Sequence, residues 1–258
     1  PVDRRQRQMC IRDSSCTPQR LKRFNLENEF KNLQKLALRA AKEAIIETGS
    51  NNNVKIAGCF SPLPGSYFKD KSISKKEMIE TYLSIGELQK DDVDFFIIET
   101  MSSIDEAVNA VEALSNFNKK ILLCFCLSEG DGTKLFSGED LSKACDLIQI
   151  DKISGLCLNC SQFEDISIGL DILKKYGLPY GALPNNFQSV KPLKLGMSVD
   201  NIKKRNDILI EDFVNYSNIW LKKGCTILGG CCEITPDYIN GLNQFLMENK
   251  YNKVNFFN

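Results

Sequence analysis

The sequence predicts an α/β chain built around a parallel sheet. Six short apolar runs without polar alternation recur along it, as expected of strands buried on both faces. Amphipathic helical stretches separate these runs, and the spacing between successive strands averages about 34 residues. Two architectures fit this order, an eight-stranded barrel and an open doubly wound sheet. No Gly-x-Gly-x-x-Gly follows the first run, which weakens the dinucleotide-binding version of the open sheet.

Each predicted strand is a short apolar run bounded by turn residues or charges. The six runs are Val54–Phe60, Phe95–Glu99, Ile121–Leu127, Ile153–Asn159, Leu178–Leu183 and Cys225–Gly229. Apolar residues at three- and four-residue spacing predict the helices between them. The first helix begins at Phe24, and the others cover Lys75–Lys90, Ser103–Asn116, Leu141–Ile150, Ile166–Tyr176, Asp207–Lys223 and Pro236–Glu248. Ser103, with Glu106 three positions later, predicts a capping box.

The composition excludes several classes of function. Thirty-three basic residues balance 33 acidic ones, so neither nucleic acid nor a membrane is expected as a partner. The chain contains no histidine, which rules out a Ser-His-Asp triad, a Cys-His pair and a histidine-ligated metal. No apolar run approaches the roughly 18 residues that span a bilayer. Eleven cysteines without an apolar signal sequence indicate reduced thiols and a cytoplasmic location.

Residues 1–20 differ from the rest of the chain. They carry several arginines and almost no apolar periodicity. We therefore expect this segment to lie outside the domain, either disordered or of artefactual origin, with a flexible basic tail as the alternative. Residues 21–258 are predicted to form the domain.

Three cysteines stand where two of the predicted strands end. Cys160 follows the fourth strand, whereas Cys231 and Cys232 follow the sixth, directly after two glycines. In parallel α/β folds the functional residues lie at the carboxyl ends of the strands. The two glycines let the backbone turn so that the adjacent thiols can point to one centre. Three thiolates with one open position are typical of a catalytic zinc. The alternative is that all three are small buried residues.

A zinc ion bound in this way suits the activation of a thiol substrate. It would hold the incoming sulfur as a thiolate at neutral pH, where a free thiol is mostly protonated. Because the thiolate is itself the nucleophile, this chemistry needs no histidine base.

Several segments resemble the homocysteine S-methyltransferase family, and together they extend from Phe24 to Asn258. The segments are Asn159-Cys160-Ser161, Gly229-Gly230-Cys231-Cys232 with Thr235-Pro236, the strand Asp94–Thr100 with Glu106-Ala107, the loop Gly58–Tyr67, and Leu183-Pro184-Asn185. In the loop, residues 59–61 depart from the family's Gly-Ser-x-Gly-Pro-x-Gly-x-Tyr pattern. The two cysteine motifs are the specific part of the likeness.

The resemblance implies a fold, a cofactor and a set of site residues. The family fold is a (β/α)8 TIM barrel, and the cofactor is Zn2+. By this likeness the zinc ligands, which form the catalytic centre, are Cys160, Cys231 and Cys232. Glu99 would bind the amino group of homocysteine, and Tyr67 and Asn185 would line the substrate pocket. Judged without the likeness, Glu99 could cap a helix or join a salt bridge, and Asn185 could serve a turn.

Two elements of the family pattern are not found in the sequence. They are a first strand ending in Asp-Gly-Gly and a second strand with a Thr-x-Thr-Tyr-like end. We therefore expect strands 3–8 alone, six parallel strands in an open or incomplete barrel, with a gap between the strands near Val54 and Cys225. Unpaired sheet edges favour aggregation. We expect slow or no turnover by this chain, and recovery of activity on an upstream extension of roughly 50 residues.

Three functions fit these features. The first is a zinc-dependent homocysteine S-methyltransferase of methionine biosynthesis that uses a sulfonium donor, S-methylmethionine or S-adenosylmethionine. The second is the homocysteine-binding module of a betaine-dependent or folate- and cobalamin-dependent methyltransferase. The third is a degenerate, non-catalytic zinc- or thiol-binding protein. We prefer the sulfonium donor because neither a cobalamin or folate module nor a long C-terminal arm follows the last predicted helix. The expected partners are homocysteine and the methyl donor.

Overall fold

A parallel sheet lies at the centre of the computed structural model, which describes residues 16–49, 54–67, 72–193 and 202–251. The strands are β1 (Ala57–Phe60), β2 (Phe95–Met101), β3 (Ile121–Phe125), β4 (Leu127–Ser128), β5 (Asp131–Leu135), β6 (Gly155–Asn159), β7 (Tyr180–Leu183) and β8 (Ile227–Leu228). Six of them form the main sheet in the order β1-β2-β3-β6-β7-β8, with every neighbouring pair parallel. In the described ranges β1 and β8 are the two edges of this sheet. The six parallel strands and their open arrangement are therefore confirmed.

The helices follow the strands as the periodicity predicts. They are α1 (Pro18–Leu21), α2 (Phe30–Glu47), α3 (Lys75–Gln89), α4 (Ile104–Leu114), α5 (Leu141–Leu147), α6 (Phe163–Leu173), α7 (Ile210–Lys223) and α8 (Pro236–Glu248). The long first helix begins at Phe30 rather than at Phe24. Two 3-10 turns precede it, and between them Asn25 adopts a left-handed conformation, with a φ of 55°, that interrupts the helix.

Two local predictions were wrong. The third predicted strand extends to Leu127, but the chain leaves the sheet after Phe125 and forms the antiparallel hairpin of β4 and β5. The sequence did not predict this hairpin because its strands are too short to show a clear alternation. The capping box at α4 does not form either. Ser103 occupies the N-cap position without a side-chain hydrogen bond, and Glu106 accepts hydrogen bonds from the backbone N–H of Leu63 and the hydroxyl of Tyr82 instead.

The domain also includes residues that were assigned to the segment 1–20. Thr17 is 2% exposed, and its hydroxyl both caps α1 and donates a 2.9 Å hydrogen bond to the carbonyl oxygen of Leu63. Cys16 is buried as well. A threonine followed by Pro18 is a helix-start signal, and this signal marks the packed part of the segment. Residues 1–15 lie outside the described residues.

The sheet has two different faces. Helices cover one face, where large side chains such as Phe96, Phe163 and Trp220 are fully buried. Trp220 stacks on Phe163, and its Nε1 donates a 2.8 Å hydrogen bond to Ser167. On the other face, Cys124 and Cys157 lie side by side on β3 and β6 in a smaller buried cluster. Among the described residues, no helix combines the length and the apolar character needed to cross a membrane.

We predict that Gly181→Ala separates β7 from β8. The new methyl group would overlap the carbonyl oxygen and the Cβ of Ile227, the residue paired with Gly181 on the neighbouring strand. Because β7 and β8 cannot move apart without weakening the hydrogen bonds between them, the free energy of unfolding should fall by about 1–3 kcal/mol. Urea denaturation measures this change. The control is Gly241→Ala, whose methyl group meets side-chain methyl groups of Ile210 and Val214 rather than backbone; an equal loss in both variants would contradict the prediction.

Candidate functional site

Three cysteine sulfurs meet at the carboxyl ends of β6 and β8. The Sγ of Cys160 lies 2.7 Å from that of Cys231 and 3.7 Å from that of Cys232, and the last two are 3.8 Å apart. In the described part of the chain, this is the one group of three or more Cys, Asp or Glu side chains close enough to share a metal ion. The three thiols that the sequence singled out therefore lie together.

The cluster matches the ligand spacing of a tetrahedral zinc in two of its three distances. Sulfurs bound at about 2.3 Å in a tetrahedron stand roughly 3.8 Å apart. The separations that involve Cys232 have this value, while Cys160 and Cys231 would have to move apart by about 1 Å. Three soft thiolates with no fourth cysteine, aspartate or glutamate from the described residues fit a zinc site with one open position.

The end of β7 holds both halves of this cluster in place. The backbone N–H of Cys160 donates to the carbonyl oxygen of Leu183, and the N–H of Cys231 donates to that of Pro184. Cys160 itself has a left-handed φ of 51°, which turns its side chain as β6 ends. Gly230 lets the chain turn after β8, because any Cβ there would overlap the side chain of Ile234.

Hydrogen bonds within the cluster favour one thiolate. The thiols of Cys231 and Cys232 and the hydroxyl of Tyr67, 3.0 Å away, hold the pKa of Cys160 well below its usual range. The same hydrogen bond to Cys160 raises the pKa of Cys231, and the charge of Glu99 raises it further. Burial, followed by the nearby Cys160, raises the pKa of Tyr67. The cluster can therefore carry negative charge on Cys160 even before a metal ion binds.

Tyr67 reaches the cluster from a loop that is tied down at several points. Its φ is 67°, and its ring packs 5.4 Å from that of Phe136. Earlier in the loop, the N–H of Leu63 donates a 2.6 Å hydrogen bond to Glu106, which is 4% exposed. Glu106, predicted as part of a capping box, therefore anchors the loop that carries Tyr67.

Glu99 and Asn185 are both linked to the cysteine cluster, Glu99 through its charge and Asn185 through its bond to the residue after Cys160. Glu99 is half-buried near the end of β2, close enough for its charge to affect the Cys231 thiol. Asn185 is 1% exposed, and its N–H donates to the carbonyl oxygen of Ser161. The side-chain oxygen of Asn185 accepts from the N–H of Phe187, as in an Asx turn. Asn185 thus makes the contacts of a turn residue beside the site.

Two supporting residues were not identified from the sequence. Thr100 has a left-handed φ of 59°, and Asn159 bonds it twice: Oδ1 accepts from the Thr100 N–H at 2.9 Å, and Nδ2 donates to the Thr100 hydroxyl at 3.0 Å. These bonds join the residue after Glu99 to the residue before Cys160. The motif around Cys160 contained Asn159, but nothing in the sequence pairs it with Thr100, 59 residues away.

A further loop packs over the cluster after β7. Phe187 and Val190 are buried against Tyr67 and Cys160. The hairpin of β4 and β5 holds this loop, because Glu129 accepts hydrogen bonds from the hydroxyl of Ser189 and from the N–H of Val190. The loop covers Cys160, which is buried, whereas Cys231 and Cys232 stay partly exposed.

Comparisons with known proteins point to one family. The model of the homocysteine S-methyltransferase family matches residues 15–246. A selenocysteine methyltransferase of Astragalus bisulcatus is 28% identical over 160 residues, 60% of this chain and 45% of that protein. Homocysteine S-methyltransferase 2 of Zea mays is 29% identical over 159 residues, 59% of this chain and 44% of that protein. The chain spans about half the length of the curated relatives it matches.

A solved structure shares the fold. The metallated form of the homocysteine methyltransferase MmuM from Escherichia coli superposes with a TM-score of 0.69 at 22% sequence identity. The match covers 90% of this chain and 77% of the other. At this identity the likeness shows the fold alone.

We predict that Asn159→Ala destabilises the protein more than Thr100→Val does. The first change leaves the buried N–H of Thr100 unpaired in a left-handed conformation, whereas the second removes only the hydroxyl. The loss for Asn159→Ala should be about 2–3 kcal/mol in the free energy of unfolding, measured in urea. If both variants lose the same amount, the N–H of Thr100 does not depend on Asn159.

Proposed function

The chain belongs to the homocysteine S-methyltransferase family, and on that basis we propose that it transfers a methyl group to the sulfur of homocysteine and forms methionine. The observation that carries the proposal is the meeting of the Cys160, Cys231 and Cys232 sulfurs within 3.8 Å of one another. A thiol cluster of this kind is suited to binding a soft metal ion with a position left for a substrate sulfur.

The proposal gives the three cysteines a common role as ligands of Zn2+. Zinc bound there supplies the positive charge that keeps a substrate thiol deprotonated near neutral pH. The hydroxyl of Tyr67 donates to Cys160 and so draws negative charge away from that ligand. The buried side chains of Phe187 and Val190 pack around Tyr67 and Cys160, and burial strengthens the electrostatic interactions on that side of the site.

Glu99 has the charge and the position to bind the ammonium group of the acceptor. The half-buried carboxylate lies beside the cysteines, where a cationic partner lowers the cost of its burial. Binding the ammonium group would fix the acceptor at the end opposite to its sulfur. Asn185 then contributes to the pocket through the shape of its turn rather than through a free side-chain oxygen.

The preferred methyl donor is a sulfonium, S-methylmethionine or S-adenosylmethionine. The thiolate sulfur forms a bond to the methyl carbon as the bond from that carbon to the sulfonium sulfur breaks. The electron pair of the broken bond neutralises the sulfonium, so the leaving group needs no proton. A chain without histidine can therefore support this transfer. Betaine or a methylated folate is the competing donor.

The proposal places the protein in methionine biosynthesis and in the cytoplasm. The cysteines of the described residues are free, including buried ones such as Cys124 and Cys157. Free thiols in this number are typical of a reducing compartment. Thiol ligands also require such a compartment, since oxidation would remove them as metal ligands.

We predict one zinc per folded chain and its loss in Cys232→Ser. A hydroxyl is a poor substitute for a thiolate, so the variant should retain less than about one tenth of the zinc and lose methyl transfer with it. Atomic absorption after dialysis gives the zinc content, and methionine formation from homocysteine with S-methylmethionine, S-adenosylmethionine or betaine gives the activity. Cys145→Ala, a buried cysteine of α5, is the control and should keep its zinc.

Each result of this experiment separates the candidate functions. Zinc binding with methyl transfer from a sulfonium supports the proposal, and transfer from betaine alone would reject the preferred donor. Zinc binding without any transfer, even when the chain carries an upstream extension, would favour the non-catalytic protein. A wild-type chain without zinc would overturn the assignment of the three ligands.

We predict that Glu99→Gln weakens homocysteine binding and leaves the zinc content unchanged. The amide keeps the shape of the side chain and loses the charge that attracts the ammonium group, so the Kd for homocysteine should rise about 10- to 100-fold. Calorimetric titration of the zinc-loaded protein measures this shift. The control is Glu112→Gln on α4, where the carboxylate pairs with Lys75 at the surface. A larger change in zinc content than in affinity would contradict the role of Glu99.

A further inference from the structure

Cys232 is tied through its backbone to the loop that follows β7. Strand β8 ends at Leu228, so the ladder of the sheet ends before this cysteine, which lies in a turn. The next residue, Glu233, has a left-handed φ of 64°. The carbonyl oxygen of Cys232 accepts a 2.9 Å hydrogen bond from the backbone N–H of Asn186, which is fully buried. The position of this thiol therefore depends on where the loop lies.

A short antiparallel ribbon gives the loop its shape. Residues 186–188 pair with residues 203–205 through backbone hydrogen bonds of 2.8 Å, one from the N–H of Gln188 and one from the N–H of Arg205. A ribbon of two strands this short is marginal in water by itself. The ribbon therefore needs an anchor outside its own backbone to stay against the cluster.

The side chain of Arg205 supplies that anchor. Its Nη1 and Nη2 donate to the two carboxylate oxygens of Glu164 at 2.9 and 2.8 Å, and its Nε and Nη2 donate to Asp207 at 3.1 and 2.6 Å. Nη1 also donates to Oε1 of Gln162 at 2.9 Å. The side chain is 14% exposed, so water screens these bidentate contacts less than those of a surface pair. Arg205 thus fixes the ribbon to the start of α6, where Gln162 is the N-cap residue.

Gln162 transmits this constraint to the other side of the ribbon. Its Oε1 accepts from Arg205, so its Nε2 is free to donate to the carbonyl oxygen of Phe187 at 2.8 Å. An amide rotated by half a turn would bring two oxygens together at Phe187 and two donors together at Arg205. Arg205 therefore selects the amide orientation that holds Phe187. Phe187 in turn belongs to the buried apolar cluster that contains Tyr67 and Cys160.

We propose that Arg205 is a positioning residue of the metal site. Through Gln162 it holds residues 186–188 in place against the cluster. The N–H of Asn186 in this segment then holds the backbone of Cys232. The effect of Arg205 on the metal ion is indirect, because its side chain acts through these neighbours. This inference rests on the ligand role that the proposed function gives to the three cysteines.

The arrangement predicts a loss of zinc affinity in Arg205→Gln. Groups that orient a metal ligand from outside the coordination shell typically contribute about 10- to 100-fold in affinity. We expect the Kd for zinc to rise about tenfold, since Arg205 acts on Cys232 through intermediate residues. Arg205→Lys should lose nearly as much, because an ammonium group cannot reproduce the bidentate contact with Glu164. The backbone N–H groups of residues 186–188 should exchange with solvent about tenfold faster.

The test measures zinc affinity and hydrogen exchange on the full chain. Competition with a chromophoric chelator gives the Kd for zinc, and mass spectrometry of peptides that contain residues 186–188 gives their exchange rate. Gln162→Glu isolates the transmitting bond, because its carboxylate still accepts from Arg205 but cannot donate to Phe187. It should weaken zinc binding about as much as Arg205→Gln does, and the double variant should lose little more than either single variant.

The matched control is Lys223→Gln. Lys223 also connects α7 with α6, since its Nζ donates to the carbonyl oxygen of Ser167 at 2.7 Å and to the carboxylate of Asp171 at 2.8 Å. Lys223 is the last residue of α7, whereas Arg205 precedes the first. This variant should therefore keep both the Kd for zinc and the exchange rate of residues 186–188 within about twofold of the wild type.

The possible results separate this inference from the proposed function. An unchanged Kd for zinc in Arg205→Gln, additive losses in the double variant, or an equal loss in Lys223→Gln would each overturn the inference and leave the three ligands intact. A wild type that binds no zinc would overturn both. If Arg205→Gln does not fold, Gln162→Glu decides by the same measurements, because it keeps the ion pairs of Arg205 with Glu164 and Asp207.

Discussion

The site depends on the register of three neighbouring strands. β7 lies between β6 and β8, and the carbonyl oxygens at its end accept the backbone N–H groups of Cys160 and Cys231. A shift of either outer strand by one residue would turn its side chains to the opposite face and separate the sulfurs. The ladder of the parallel sheet thus does more than stabilise the fold, since it fixes the distances between the thiols.

The second constraint is the backbone conformation that these strand ends require. Tyr67, Thr100, Cys160 and Glu233 all have positive φ angles without being glycine, and each such residue costs about 1 kcal/mol or more. Neighbouring contacts compensate for this strain: Asn159 bonds Thr100 twice, and Tyr67 bonds Cys160. Thr100 lies at the end of β2, and Tyr67, Cys160 and Glu233 lie in the segments that follow β1, β6 and β8, so the strained residues occur at the carboxyl ends of the strands, where the site lies.

Hydrogen bonds and one nearby carboxylate complete the site around the thiols. A site without histidine has to control protons and substrate charge by other means. Hydrogen bonds from Tyr67 and the neighbouring thiols favour the Cys160 thiolate, and the charge of Glu99 acts on the neighbouring Cys231 thiol. Methyl transfer from a sulfonium needs no proton on the leaving group. The chemistry and the residue set are therefore compatible.

The sequence by itself determined the six strands of the main sheet, the helices between them and the three cysteines, because each depends on local information. The spacing of apolar residues within a short segment predicts a helix or a strand. The carboxyl ends of parallel strands meet at one edge of the sheet, whatever the details of packing. Tertiary structure alone decided the partners of Glu106, the bonds between Thr100 and Asn159, and the packing of residues 16–20. These contacts join residues 43, 59 and 46 positions apart, so they depend on how the elements pack, which no local pattern encodes.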